Sequence, residues 1–139
     1  MSASSSEGWS AAQRRLHWAV AALVATGFVL GLVMVALPLT WLLEKILAYQ
    51  AHKTIGLLVP PLVIWRLWLR ALRGRPAEDP SIPPLERMVA AAGHTVLYLL
   101  LIAVPVLGYL SASTAPGGIE TTLFLLIPVP HLLPADEAQ

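Results

Sequence analysis

Between Leu16 and Leu43 the chain carries no charged residue. That run is well past the roughly 18 apolar residues that mark a membrane-spanning helix, and Pro38 supplies a natural exit from it. The composition agrees with bilayer as the solvent. Hydrophobic residues make up 57% of the sequence, charged residues 12%, and the mean hydropathy is +0.71, whereas a soluble domain is about one-quarter charged. At 139 residues there is room for one domain of three or four spans. A secretory signal peptide is the competing reading, because Arg14 and Arg15 precede the apolar run. Its apolar region would normally be about 7–15 residues, and this one is much longer.

Helix one is expected at about 16–37, after a Ser-rich, disordered tail over 1–15. A second helix at about 46–69 is less obvious, since Lys53 and Arg66 leave a short uncharged centre. Long basic side chains near helix ends snorkel to the interface, and Trp65 and Trp68 mark a boundary as an aromatic belt does. Pro60 and Pro61 are expected to kink it. Arg73, Gly74, Arg75, Pro76, Pro80, Pro83 and Pro84 read as a loop, and helix three is expected at about 85–110. Residues 111–139 read as a tail whose short apolar run, Leu123 to Ile127, lies at the interface or packs on the bundle. No internal repeat is present. Arg14, Arg15, Arg66, Arg70, Arg73, Arg75 and Arg87 cluster on one side, with only Lys45 and Lys53 near the other. The positive-inside rule then places the N-terminus in the cytoplasm and the C-terminal tail outside.

Net charge is +1 and there is no cysteine, so nothing points to nucleic acid, and disulfides, thiolate nucleophiles and iron–sulfur clusters built from this chain are excluded. Histidine carries the remaining redox-metal chemistry. His17, His52 and His94 sit one to each expected helix, where an ionisable side chain is expensive. Hydrogen bonding to a neighbouring helix would also satisfy an imidazole there. His52 has Gly56 on the same helix face, four residues on, and a glycine lets a flat macrocycle approach the backbone. Gly27 and Gly31 fit a helix-packing notch better than a haem contact. Zinc needs about three or four clustered ligands and no acidic residue lies in the helix cores, whereas haem iron takes one or two axial ligands. His131, between prolines in the tail, reads as a surface residue.

The run Arg15-Leu16-His17-Trp18, the segment from His52-Lys53-Thr54-Ile55-Gly56 to Arg66-Leu67-Trp68-Leu69-Arg70, and Gly93-His94-Thr95-Val96-Leu97-Tyr98 with Pro105-Val106-Leu107-Gly108 together resemble the bacterial cytochrome b561 family. The resemblance covers about Arg14 to Ser111. It implies an all-α membrane protein, with three transmembrane helices of a four-helix up-and-down bundle, holding two b-type haems in the bacterial cytoplasmic membrane. It also implies electron exchange with quinone and with a redox protein partner, superoxide oxidation being one activity of the group. His17 and His52 match family iron ligands, His94 matches a recurrent third-helix histidine, and Arg66 is a candidate partner for a haem propionate or a quinone oxygen. Family members add a fourth helix with two further histidines. The sequence stops at Gln139 where that helix should begin, which implies a truncated chain. The alternatives are a non-catalytic bundle or assembly subunit with structural histidines, and a cytochrome subunit anchoring a dehydrogenase or hydrogenase.

A depth order follows. His17 opens helix one and His52 starts an antiparallel helix two, so roughly 30 Å of hydrocarbon is expected largely to separate them. His94, seven residues inside Arg87, is expected roughly 10 Å deeper than His17 at the helical rise. His17 and His52 are expected to face a common cleft.

Overall fold

A computed structural model describes residues 8–74, 80–114 and 121–130. Three helices follow in chain order, α1 (Ala11–Ala36), α2 (Leu42–Arg73) and α3 (Pro84–Thr114). A single 3-10 turn, Leu39–Trp41, joins the first two, and a small hairpin of β1 (Thr122–Leu123) and β2 (Ile127–Pro128) follows the third. All three helices are long and apolar enough to cross a membrane. The all-α membrane architecture read from the sequence is the one observed.

Each helix is longer than its apolar core because polar groups close its ends. α1 starts inside the stretch expected as tail: Ser10 caps it, its hydroxyl accepting from the Gln13 amide at 3.3 Å while the Ser10 amide donates to Gln13 Oε1 at 3.1 Å. This reciprocal capping box satisfies amides that a helix start leaves open. At the other end of α1, Lys45 Nζ donates to the Leu37 carbonyl at 2.6 Å, putting a cation where the helix dipole is negative. α2 continues through Pro60 and Pro61 and ends at Gly74, whose positive φ of 74° suits a residue without a Cβ. Its amide donates to the Arg70 carbonyl at 3.1 Å. Pro84 opens α3, a position where its missing N–H costs nothing.

The helices alternate in direction. Gln13 Nε2 at the start of α1 reaches the Gly74 carbonyl at the end of α2, while Lys45 joins the opposite ends. Arg70 near the end of α2 meets Tyr98 in the first half of α3. Helix α2 is central, packing on α1 along one side and on α3 along another, and among the described residues the backbones of α1 and α3 do not come close. The core is thin: Leu16 and Val20 of α1 meet Val59 and Val63 of α2, with Tyr98, Leu101 and Ile102 of α3 alongside. Val63 is fully buried, directly after the two prolines, so side-chain packing on α1 supports the helix where its backbone bonds are interrupted. Most large apolar side chains face outward, as expected where lipid, not water, is the solvent and association relies on close packing and interhelical hydrogen bonds.

The tail differs from expectation. Helix α3 runs to Thr114, and residues 121–130 form a hairpin pinned to α2. Thr122 N donates to Gln50 Oε1 at 3.2 Å and Phe124 N to Thr54 Oγ1 at 3.2 Å. It is the polar backbone edge that docks. The apolar run Leu123 to Ile127 mostly faces out. His131 lies outside the described residues.

Candidate functional site

The two α1–α2 histidines sit at different levels. His52, half-buried, points its Nδ1 at the Gly27 carbonyl oxygen of α1, 2.8 Å away. A carbonyl only accepts, so Nδ1 carries the proton and Nε2 keeps its lone pair. The ring fits because α1 offers glycine there: a Cβ on Gly31 would lie 3.3 Å from His52 Cε1, and one on Gly27 would lie 3.1 Å from Ile55 Cγ2. The Gly27–Gly31 pair is therefore a packing notch, and what it seats is the imidazole and its neighbour Ile55. One turn on, a Cβ at Gly56 would meet no atom within 4 Å, so that stretch of the His52 face is free of close neighbours.

His17 is exposed, near the arginine-rich end, and Arg66 Nη1 of α2 donates to its Nδ1. That contact selects the opposite tautomer from His52, with the ring proton on Nε2. The Arg66 guanidinium also lies over the Tyr98 ring, 5.8 Å from the centroid. Arg70, one turn along, donates to Tyr98 OH at 3.5 Å and covers Trp9 at 5.9 Å. His94, exposed on α3, has Nδ1 2.7 Å from the Ala90 carbonyl of its own helix, so its Nε2 is again the nitrogen left for a ligand. A groove of about 480 Å³ opens between α2 and α3, lined by His94, Arg70, Thr95 and Tyr98 with Leu67, Leu99 and Ile102.

These contacts correct the expected depths. His52 is level with Gly27, ten residues beyond His17 on α1, which is about 15 Å at the helical rise and not roughly 30 Å. The reason is that α2 begins at Leu42, so His52 is well inside it. His17 and His52 still cannot share an iron. His94 is not deeper than His17: it precedes Tyr98 by one turn, and Tyr98 shares Arg66 with His17. Arg87 misled as a depth marker because its guanidinium turns back to the Ile82 and Pro80 carbonyls at 2.9 and 3.3 Å. The groove holds His94 but neither His17 nor His52, so it is not the common cleft expected for that pair. Among the described residues no three histidine or carboxylate side chains converge, so these residues assemble no zinc site of the usual kind.

The donor set suits haem iron unevenly. Metal-bound histidine almost always donates its second ring N–H to a carbonyl or carboxylate, and His52 already does so, beside a glycine face that admits a flat ring. Ligation of His17 through Nε2 would move the ring proton to Nδ1. Arg66, which only donates, would then have to release that nitrogen. The Gly-x-x-x-Gly spacing on α1 was legible as a notch. That His52 fills it was not, because nothing in the sequence pairs residue 27 with residue 52.

Comparison with known proteins brings the same chemistry from an independent direction. A family model described as prokaryotic cytochrome b561 matches residues 8–134. Cytochrome b561 homolog 2 of Escherichia coli (strain K12) is 45% identical over 104 residues, a match that covers 73% of this chain and 53% of that protein. The chain thus spans about half the length of that curated relative. With three spanning helices, a seated imidazole and a match over nearly its whole length, this multi-pass membrane protein belongs to the prokaryotic cytochrome b561 family.

Proposed function

We propose that this protein is an electron carrier that holds b-type haem within the bacterial cytoplasmic membrane and exchanges electrons with the quinone pool. The observation that carries the reading is His52: its Nδ1–H is fixed on the Gly27 carbonyl, leaving Nε2 as a ligand with the hydrogen-bonded partner that tunes an iron-bound imidazole. Bound haem supplies the one-electron chemistry. His52 and Gly56 form one haem-facing surface. His17 would hold a second haem, and Arg66, released from His17, would be available to a propionate, where a guanidinium gains a charge-assisted bond.

His94, whose ligand role the sequence left open, we assign to the quinone. The groove between α2 and α3 combines apolar walls with Arg70, Tyr98 and the open Nε2 of His94, a lining that suits a ring with carbonyl oxygens at its edge. The arginine-rich end faces the cytoplasm by the positive-inside rule. The electron donor is a redox protein or a small reductant such as superoxide meeting the opposite end. The test is a reduced-minus-oxidised spectrum of the purified protein in lipid, before and after adding a reduced quinone. A b-type band that appears on adding quinol supports the reading; a folded protein that stays colourless when haem is supplied refutes it.

A further inference from the structure

The hairpin at 121–130 has a chemistry that the electron-transfer reading does not use. Its turn, Leu123 to Leu126, is closed by the Leu126 amide on the Leu123 carbonyl at 3.1 Å, and both central residues have positive φ, 52° at Phe124 and 62° at Leu125. Turn positions with positive φ normally take Gly or Asn. Left-handed backbone is costly for a residue with a Cβ, so local conformation does not select Phe-Leu here. The side chains must be favoured for something else. Phe124 is 58% exposed, Leu125 55%, Leu126 82% and Ile127 57%.

Much of the backbone beneath them has partners. Thr122 and Phe124 donate to Gln50 and Thr54, Leu126 and Val129 to Leu123 and Thr121, and Pro128 and Pro130 have no N–H to place. Tyr109 OH of α3 holds the Pro130 carbonyl. Irregular backbone is tolerated at membrane depth only where its polar groups have partners, and most of this hairpin's do. Its direction is also fixed. The Thr122 amide reaches Gln50, while its carbonyl and the Phe124 amide both meet Thr54 Oγ1, so the strand entering the turn runs along α2 from Gln50 toward Thr54, away from the helix start and toward the middle of the span. The tip therefore lies deeper than the strands that hold it.

We propose that this hairpin is a re-entrant wedge: its polar edge is pinned to α2, and its tip, Phe124 to Ile127, is buried among lipid acyl chains at the end of the bundle opposite the arginines. The partner is the bilayer itself. The test exploits a sequence without cysteine. Leu126→Cys and, separately, Ile127→Cys carry a nitroxide label in the protein reconstituted into phosphatidylcholine vesicles, and collision rates with oxygen and with a water-soluble nickel chelate are compared with those of a label at Gly74→Cys. The expected result is an oxygen-to-chelate ratio several-fold higher at the tip than at Gly74. Adding Phe124→Asn and Leu125→Gly, which suits the turn but removes two lipid-facing side chains, should bring the ratio down. A tip label dominated by the chelate, one shielded from both reagents by a second copy or another protein segment, or a ratio unmoved by the Asn-Gly pair would each overturn the proposal.

Discussion

Substituting Gly31 by alanine separates the haem reading from a purely structural one, because its two effects point in different directions. The new methyl would lie 3.3 Å from His52 Cε1 and 3.5 Å from Nδ1, inside the roughly 3.5–4.0 Å of a comfortable carbon contact. The ring must retreat by a few tenths of an ångström, which stretches the 2.8 Å bond to Gly27 toward the outer limit of about 3.2 Å. Interhelical hydrogen bonds in membranes are worth about 0.6 kcal/mol on average and about 1.7 at most. Replacing glycine within a helix returns about 0.8–1.0 kcal/mol. Thermal stability in detergent should therefore change by less than about 1 kcal/mol. Haem affinity should fall about tenfold, the lower end of what losing such a partner of a ligating histidine costs. The haem potential should rise, by up to about 59 mV if the whole tenfold falls on the ferric form, because a less basic imidazole stabilises ferric iron less. Gly31→Val should break the bond outright and enlarge both effects. Gly108→Ala, where a methyl meets nothing within 4 Å, is the control. The reasoning fails if Gly31→Ala and Gly108→Ala are indistinguishable in haem affinity and potential.

Four further outcomes follow from the same geometry. His17→Ala and His52→Ala should each remove a different component of the reduced b-type spectrum while the helical circular dichroism is kept; a variant that retains both components shows its histidine to be structural. Gly56→Leu should leave folding intact, since a Cβ there meets no atom within 4 Å, yet abolish haem at the His52 level, as read by pigment content per folded protein. Arg66→Leu removes the guanidinium proposed for a propionate, a charge-assisted bond of about 1.5–3 kcal/mol, so haem at the His17 level should bind at least tenfold more weakly in a titration. Tighter binding would instead show that Arg66 only competes for His17. For topology, a cysteine at Gly74 should resist an impermeant thiol reagent in intact cells and one at Gly117 should react, and the reverse pattern would invert the orientation.

Much of this was legible in the sequence because membrane spans announce themselves one helix at a time. The uncharged run from Leu16 and the prolines after Arg73 set the helices to within a few residues; α1 starts earlier where the Ser10–Gln13 box caps it, α2 starts earlier beside the Lys45 bond to Leu37, and α2 and α3 each run about a turn past the expected ends. Contacts between helices were not legible in the same way. Arginine served as a depth gauge, which holds when the guanidinium snorkels to the interface. It failed at Arg87, which is tied to loop carbonyls, and at Arg66, which is engaged with His17 and Tyr98. The hairpin escaped notice because its turn lacks the Asn-Gly signature and its register is set by Gln50 and Thr54, far away in the chain.

The thin core explains why so few residues decide the arrangement. Only Leu16, Val20, Ala48, Val59 and Val63 are buried apolar side chains among the described residues, and in lipid their burial gives no hydrophobic driving force between helices. Orientation of α1 on α2 then depends on contacts with direction: Gln13 on the Gly74 carbonyl and Lys45 on the Leu37 carbonyl at the two ends, and between them the Gly27 and Gly31 surfaces that admit Ile55 and His52, the imidazole bond to Gly27, and Arg66 on His17. Both polar contacts named between the helix ends are made by the proposed iron ligands. It follows that haem binding and helix docking on this face cannot be independent. With His52 and His17 as ligands, binding at His52 would preserve its contact with α1, whereas binding at His17 through Nε2 would break the contact with Arg66, so loading the second level should loosen α1 from α2 unless the haem itself bridges them. Hydrogen exchange across Leu16 to Val20, measured with haem at the His52 level alone and then at both levels, reads that difference directly: faster exchange on filling the second level marks release of Arg66, and slower exchange marks a haem that replaces the contact it displaced.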